Sequence, residues 1–168
     1  MLDAHSPLDN LARFEANGIS IAEEGGFELC QYAGDEKILK KSLGKIPVKV
    51  GVALVHEDRC LFRIAPRQVW VLGAEVSTAA GLYKTQLFSG RCRLRLEGAK
   101  VRELLLACAV IDFDANKFKP GHFVMTGIHH TPIVIHCTGT DIFHIYVLRT
   151  FALAVWEWLT DAAIGLEK

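Results

Sequence analysis

Residues Arg91–Glu97 read R-C-R-L-R-L-E, and this strict alternation constrains the chain more than any other feature. Successive side chains of a strand point to opposite faces. Cys92, Leu94 and Leu96 therefore line one face, and Arg91, Arg93 and Arg95 the other, about 7 Å apart along the strand. A helix would scatter both sets around its circumference. The segment predicts a half-buried strand, ended by Gly98, that needs a sheet around it. The next seventy residues supply one, at roughly the length such a sheet with its helices requires. Val101, Leu104, Leu105, Cys108 and Ala109 recur at the spacing of one helical face. Beyond a turn at Phe118–Gly121, His122–Ile128, Ile133–Cys137 and Ile142–Leu148 read as three strands. Residues His129–Pro132 and Thr138–Asp141 connect them. Thr150–Ala163 reads as an apolar helix with Gly165 just past its end.

The first part of the chain carries a fainter copy of this order. Ile19–Glu23 and Phe27–Tyr32 have strand composition around Gly25-Gly26, which predicts a hairpin pair. Asp35 opens a short helix over Glu36–Leu43, with Ile38, Leu39 and Leu43 on one face and Gly44 as its stop. Val48–Val55, Cys60–Ile64 and Gln68–Leu72 read as strands, and Gly73–Lys84 as a connector containing a helical turn. Phe27–Gly34 and Arg91–Gly98 each precede a helix and three strands, at an offset of 64 residues. The predicted fold is α+β: two related β-α-β-β-β halves, mostly antiparallel sheet with packed helices. The expected organisation is an N-terminal arm over 1–17 and a single domain over 18–168, with pseudo-duplicated halves 18–73 and 86–163.

Composition narrows the function. The 168 residues carry 19 Lys+Arg against 19 Asp+Glu, a pI near 7, 51% apolar residues and a mean hydropathy of +0.23. Without net basic charge, no long-range field gathers nucleic acid. No apolar run reaches the ~18 residues of a membrane span. Asp3, Asp9, Arg13 and Glu15 make the start unlike a signal peptide. A soluble, cytoplasmic protein is expected. Cys30, Cys60, Cys92, Cys108 and Cys137 form no CxxC and read as small buried hydrophobes of a reducing compartment. No phosphate-binding glycine loop and no G-x-S-x-G elbow occurs. Zero charge with positive hydropathy favours association, so some surface is expected to be covered, by a partner or by a second copy when the chain is isolated.

Four groups of residues are candidates for chemistry or contact. His129, His130, His136 and His144 lie among the last strands. A three-residue loop at Gly139–Asp141 sets His136 opposite His144, whereas a two-residue loop sets it opposite Phe143. No third metal ligand follows from the spacing, so no metal site is predicted. The Arg91, Arg93 and Arg95 row suits an anion, a folate tail or an acidic partner, or is a solvated face balanced by carboxylates. On the last helix, Phe151, Val155, Trp158, Leu159 and Ala162 form one stripe. Trp156 lies off it, so either a second layer covers Trp156 or a partner does. Asp112 and Asp114 read as a loop or cap. No catalytic residue emerges.

Four ordered stretches carry a family resemblance. They are Arg63-Ile64-Ala65-Pro66 with Val69–Gly73; Ser89-Gly90-Arg91 through Leu96-Glu97-Gly98 with Leu104-Leu105; Ile111-Asp112-Phe113 and Phe118–Gly121 with Thr126; and Phe143–Val147 with Arg149-Thr150-Phe151-Ala152 and Trp156-Glu157-Trp158-Leu159. Over about residues 60–163 the chain resembles the gamma subunit of heterotetrameric sarcosine oxidase, which is similar to the folate-binding portion of the glycine-cleavage T-protein. Gly90, between Ser89 and Arg91, departs from the family pattern. The resemblance implies a T-protein-like folate-binding fold. It implies an accessory chain without catalytic residues, and alpha, beta and delta subunits as partners. It also implies a complex that demethylates sarcosine oxidatively to glycine with FAD, FMN, NAD and tetrahydrofolate held by other subunits. The alternative it leaves is a stand-alone tetrahydrofolate-binding module.

Overall fold

Arg91–Glu97 does form the predicted strand, and it sits inside a six-stranded sheet rather than at its edge. The computed structural model describes residues 5–9, 11–56 and 58–166. In chain order its strands are β1 (Phe14–Ala16), β2 (Ile19–Glu23), β3 (Leu29–Ala33), β4 (Ala53–His56), β5 (Arg59–Ala65), β6 (Gln68–Gly73), β7 (Tyr83–Gln86), β8 (Arg91–Glu97), β9 (Phe123–Ile128), β10 (Thr131–Gly139) and β11 (Ile142–Leu148). The helices are α1 (Glu36–Leu43), α2 (Val101–Cys108) and α3 (Ala152–Gly165).

Two compact units result. The first comprises the described residues of Met1–Gly25, Gly90–Pro120 and Val124–Lys168. The second comprises those of Gly26–Ser89 and Gly121–Phe123. The six-stranded sheet has the order β1-β2-β8-β11-β10-β9, and the five-stranded sheet β4-β5-β6-β3-β7.

The duplication is now explicit. β3-α1-β4-β5-β6 and β8-α2-β9-β10-β11 have the same element order, and each half places its first strand beside its last. Each sheet is then extended by one flanking strand from the segment leading into the other half. β2, which precedes β3 in the chain, pairs with β8; β7, which precedes β8, pairs with β3. The hairpin expected around Gly25-Gly26 is therefore not formed. Ile19 and Ile21 find a buried face beside Leu96, and Tyr32 and Cys30 find theirs beside Val69 and Val71, so burial of each apolar face outweighs proximity in sequence.

Matching glycines hold both flanks. The position of a Cβ on Gly98 lies 1.9 Å from the Gly18 carbonyl oxygen, and that of a Cβ on Gly34 lies 2.8 Å from the Gly81 carbonyl oxygen. Only glycine lets the two backbones approach this closely.

In the first unit, Ile21, Leu94, Ile135 and Ile145 of the sheet pack with Leu104 and Leu105 of α2 and Val155 and Leu159 of α3. In the second, Tyr32, Leu61, Val69 and Val71 pack with Leu39 and Leu43 of α1. Three boundaries differ from expectation. The strand placed over Val48–Val55 begins only at Ala53, because residues 48–51 turn and leave Val48 and Val50 exposed. The connector 74–82 holds no helical turn and leads into β7, whose Tyr-Lys-Thr-Gln sequence has no apolar alternation to betray a strand. Residues Arg149–Phe151 form a single 3-10 turn, so α3 starts at Ala152.

Candidate functional site

The register of β8, β11 and β10 builds the one polar row that the sequence singled out. Arg95 lies opposite His144, and His144 opposite His136, across three adjacent strands. The connection is a two-residue turn, Thr140-Asp141, not the three-residue loop; the bulge between Cys137 and Gly139 shifts the register, so His136 still lies opposite His144. Arg93 lies opposite Tyr146 in the next row, and Arg91 opposite Leu148.

This face is buried at His136 and Tyr146 and half-buried along Arg91, Arg93 and Arg95. His136 is 5% exposed and Tyr146 1%. Burial holds the His136 pKa down at about 4, with a further push from His144. His144 is lowered too, again mainly by burial, against the pull of Glu24. Its Nε2 lies 2.9 Å from Glu24 Oε2 and its Nδ1 3.2 Å from Thr138 Oγ1.

The arginines are answered by carboxylates of the same chain. Arg93 Nε lies 3.3 Å from Glu24 Oε2. Arg95 donates through Nη2 (2.7 Å) and Nε (3.1 Å) to Glu97 Oε2, and its Nη1 is 3.5 Å from Glu24 Oε1. Glu97 also accepts from Arg13 and is held below its usual pKa, chiefly by Arg95. Burial lowers the pKa of Arg91. The expected balance by carboxylates is thus present, on a face that is half-buried at the arginines. Glu24 completes the cluster from the loop after β2, and local pattern gave no sign of it. Only the need to neutralise three arginines pointed to some acid.

The chemistry open to this arrangement is limited. Glu97, held below its usual pKa, is a weak base, and both histidines resist protonation. Among the described residues, no group of three or more His, Cys, Asp or Glu side chains is placed to hold a metal. The five cysteines are free, and burial raises the Cys60 and Cys108 thiols to about 11, far from a reactive thiolate.

The other singled-out residues fall into structural roles. Asp112 accepts from the Asp114 backbone N–H (3.0 Å) and pairs with Lys117, as a turn does. His129 and His130 both adopt positive φ in the β9–β10 turn, and the His129 ring packs 4.3 Å from that of Trp158. Trp156 is corrected from its place as an interface residue. It is 6% exposed and belongs to the core with Ala152, Val155, Leu159 and Ala163, so the covering layer is the alternative realised. Phe151, expected on the buried stripe, lies in the 3-10 turn before α3 and is 44% exposed. Arg63, from the Arg-x-Ala-Pro stretch, ties three segments. It donates to Glu36 Oε2 (2.6 Å), to the Pro66 carbonyl (2.7 Å) and to the Pro47 carbonyl (3.1 Å).

Known proteins share both the sequence pattern and the fold. A family model described as "Sarcosine oxidase, gamma subunit family" matches residues 64–165. No curated protein matches the sequence. One similar solved structure is a chain of the heterotetrameric sarcosine oxidase from Corynebacterium sp. U-96, in complex with pyrrole 2-carboxylate. It matches at a TM-score of 0.84 and 17% identity, over 98% of this chain and 96% of that one. Another is the glycine cleavage system aminomethyltransferase T from Bartonella henselae, with a TM-score of 0.61 and 15% identity, over 84% of this chain and 45% of that one.

Proposed function

The chain belongs to the sarcosine oxidase gamma subunit family, and from that premise we propose that it serves as a gamma-type accessory subunit of a heterotetrameric sarcosine oxidase whose catalysis resides in the other subunits. The single observation that carries this is the family match over residues 64–165. The end-to-end fold likeness to a chain of such an oxidase supports it. The site supports the non-catalytic part, because its charged residues neutralise one another. The partners are then alpha, beta and delta chains. FAD, FMN, NAD and tetrahydrofolate belong to those subunits, and the assembly works in the cytoplasm on sarcosine, releasing glycine. No described helix is long and apolar enough to cross a membrane.

Co-expression with candidate alpha, beta and delta chains tests the reading. The expected outcome is a stable complex that makes peroxide when sarcosine is added, while the isolated chain makes none. A chain that never co-purifies with those subunits ends the proposal. The T-protein-like fold favours one rival, a stand-alone tetrahydrofolate-binding module using Arg91, Arg93 and Arg95. The engagement of Arg93 and Arg95 by Glu24 and Glu97 weighs against it. Calorimetric titration of the isolated chain with 5-formyltetrahydrofolate separates the two: no heat is expected, and saturable binding at micromolar ligand favours the rival.

A further inference from the structure

The duplicated topology leaves one strand position filled in one sheet and open in the other. β2 and β7 are counterparts: Ser20 lies opposite Glu97 as Tyr83 lies opposite Ala33, and Ile21 opposite Leu96 as Lys84 opposite Tyr32. The outer edge of β2 is covered by β1, with Phe14 opposite Ile21 and Glu15 opposite Ser20. β7 is itself the last strand of its sheet. The segment before β7 does not turn back along it as β1 does along β2. Instead Glu75 accepts from Lys84 and from Gln86 Nε2 (3.1 Å), and Val76 donates its N–H to the Tyr32 hydroxyl at 2.8 Å.

The groups at this edge follow from the ladder. The Leu87 N–H donates to the Leu29 carbonyl, so residues 83, 85 and 87 turn their backbone groups toward β3. In an antiparallel pair these directions alternate, so the N–H and C=O of Lys84 and Gln86 point outward. Tyr83, 72% exposed, stands beside them as an aromatic anchor.

We propose that the outer edge of β7 docks an extended segment of a larger partner subunit, which adds antiparallel to β7 in the place that β1 takes on β2. The inference rests on the accessory-subunit reading. The occupant is an unlike chain with a proline-free stretch, and its residue in the place of Phe14 meets Lys84 where β2 has Ile21. In a second copy, β7 itself would offer only Tyr-Lys-Thr-Gln. A four-residue strand pair also falls far short of the roughly 1,200–2,000 Å² of a stable interface, so the segment must be tethered to further contacts.

The test uses the full chain co-expressed with the alpha, beta and delta subunits. Gln86→Pro removes an outward N–H and leaves the ladder to β3 intact, which edge strands tolerate. Gln86→Ala keeps the N–H and removes only the side-chain bond to Glu75. With thermal unfolding confirming that both variants fold, Gln86→Pro is expected to weaken assembly about tenfold or more, while Gln86→Ala assembles as the wild type does. Amide exchange read at single residues is expected to slow at Lys84 and Gln86 on assembly and to stay slow at Thr85 throughout. Undiminished assembly of folded Gln86→Pro, or unchanged exchange at both edge amides, overturns the edge proposal and leaves the subunit reading intact. Self-association of the isolated chain that Gln86→Pro abolishes points to a second copy and overturns it as well. Failure of the wild-type chain to assemble at all overturns both.

Discussion

His136 is buried and His144 half-buried, and burial lowers the pKa of both, which gives the protein a pH dependence of known sign. The folded-state pKa of His136 is about 4, below the ~6.5 of an unfolded chain. As pH falls below 6.5 the unfolded state takes up a proton that the folded state refuses. Stability is therefore present above about pH 6.5 and is lost progressively down to about pH 4. For His136 alone the loss between pH 7 and pH 5 is about 2 kcal/mol, and His144 acts in the same direction. Glu36, held at about 2 chiefly by its bond from Arg63, adds a further loss only below its ordinary range. Urea unfolding at the two pH values measures the effect, and His136→Gln is expected to remove most of the His136 share. An equal slope in the variant would place the proton elsewhere. Backbone strain gives a second prediction. Gly98→Ala is expected to cost at least about 3 kcal/mol, because its Cβ would stand 1.9 Å from the Gly18 carbonyl, whereas Gly25→Ala, with open space around it, changes little. Equal melting of the two variants would show that the flank can shift to make room.

At the scale of elements, α3 shows how phase decides what a residue does. Trp156→Ala is expected to destabilise by about 3–5 kcal/mol, and Phe151→Ala by less than about 1 kcal/mol. Urea titration ranks them, and the reverse order would return Trp156 to the surface. Legibility in the sequence varies from element to element for equally physical reasons. β8, β10 and β11 announce themselves because one face of each is packed against helices, and α2 because its apolar spacing is regular. The repeat was visible for the same reason. The α3 phase was not, because the helix is apolar around most of its circumference and two neighbouring apolar arcs compete for the core. β7 was not, because an edge strand with three exposed residues has no apolar period. The pairing of β2 with β8 was hidden because register between distant segments is settled by which faces are buried together, a property of the assembled sheet. The site was half legible. The arginine face could be placed from alternation, whereas the histidine pair stayed open between two registers until the bulge decided it, and neutralisation by Glu24 depends on a loop with no period at all.

At the scale of the molecule, residues 26–89 carry nine Lys+Arg against six Asp+Glu and the rest of the chain the opposite excess, but many charges are paired within the chain. Arg93 and Arg95 are held by Glu24 and Glu97, Arg63 by Glu36, Arg102 by Asp141, Lys84 by Glu75 and Lys117 by Asp112. An arginine row paired in this way presents little uncompensated field, so it does not gather partners over distance, and association through the β7 edge draws on close-range backbone contact instead. This sets the salt dependence of assembly. The screening length shortens from well above 10 Å to well below it between about 50 and about 300 mM NaCl. A docking face made of three unpaired arginines would weaken tenfold or more over that range, while assembly through short-range contact is expected to change by less than about threefold. Surface-immobilised partner subunits titrated with the chain at both salt concentrations measure it. Arg95→Ala separates the two roles of the arginine row. It is expected to lower the unfolding midpoint in urea, by freeing Glu24 and Glu97 beside each other, while leaving the affinity of the folded chain near that of the wild type. A steep salt slope together with a selective loss of affinity in Arg95→Ala would instead make the arginine row a docking face, and the internal pairing to Glu97 a resting arrangement that a partner's carboxylates displace.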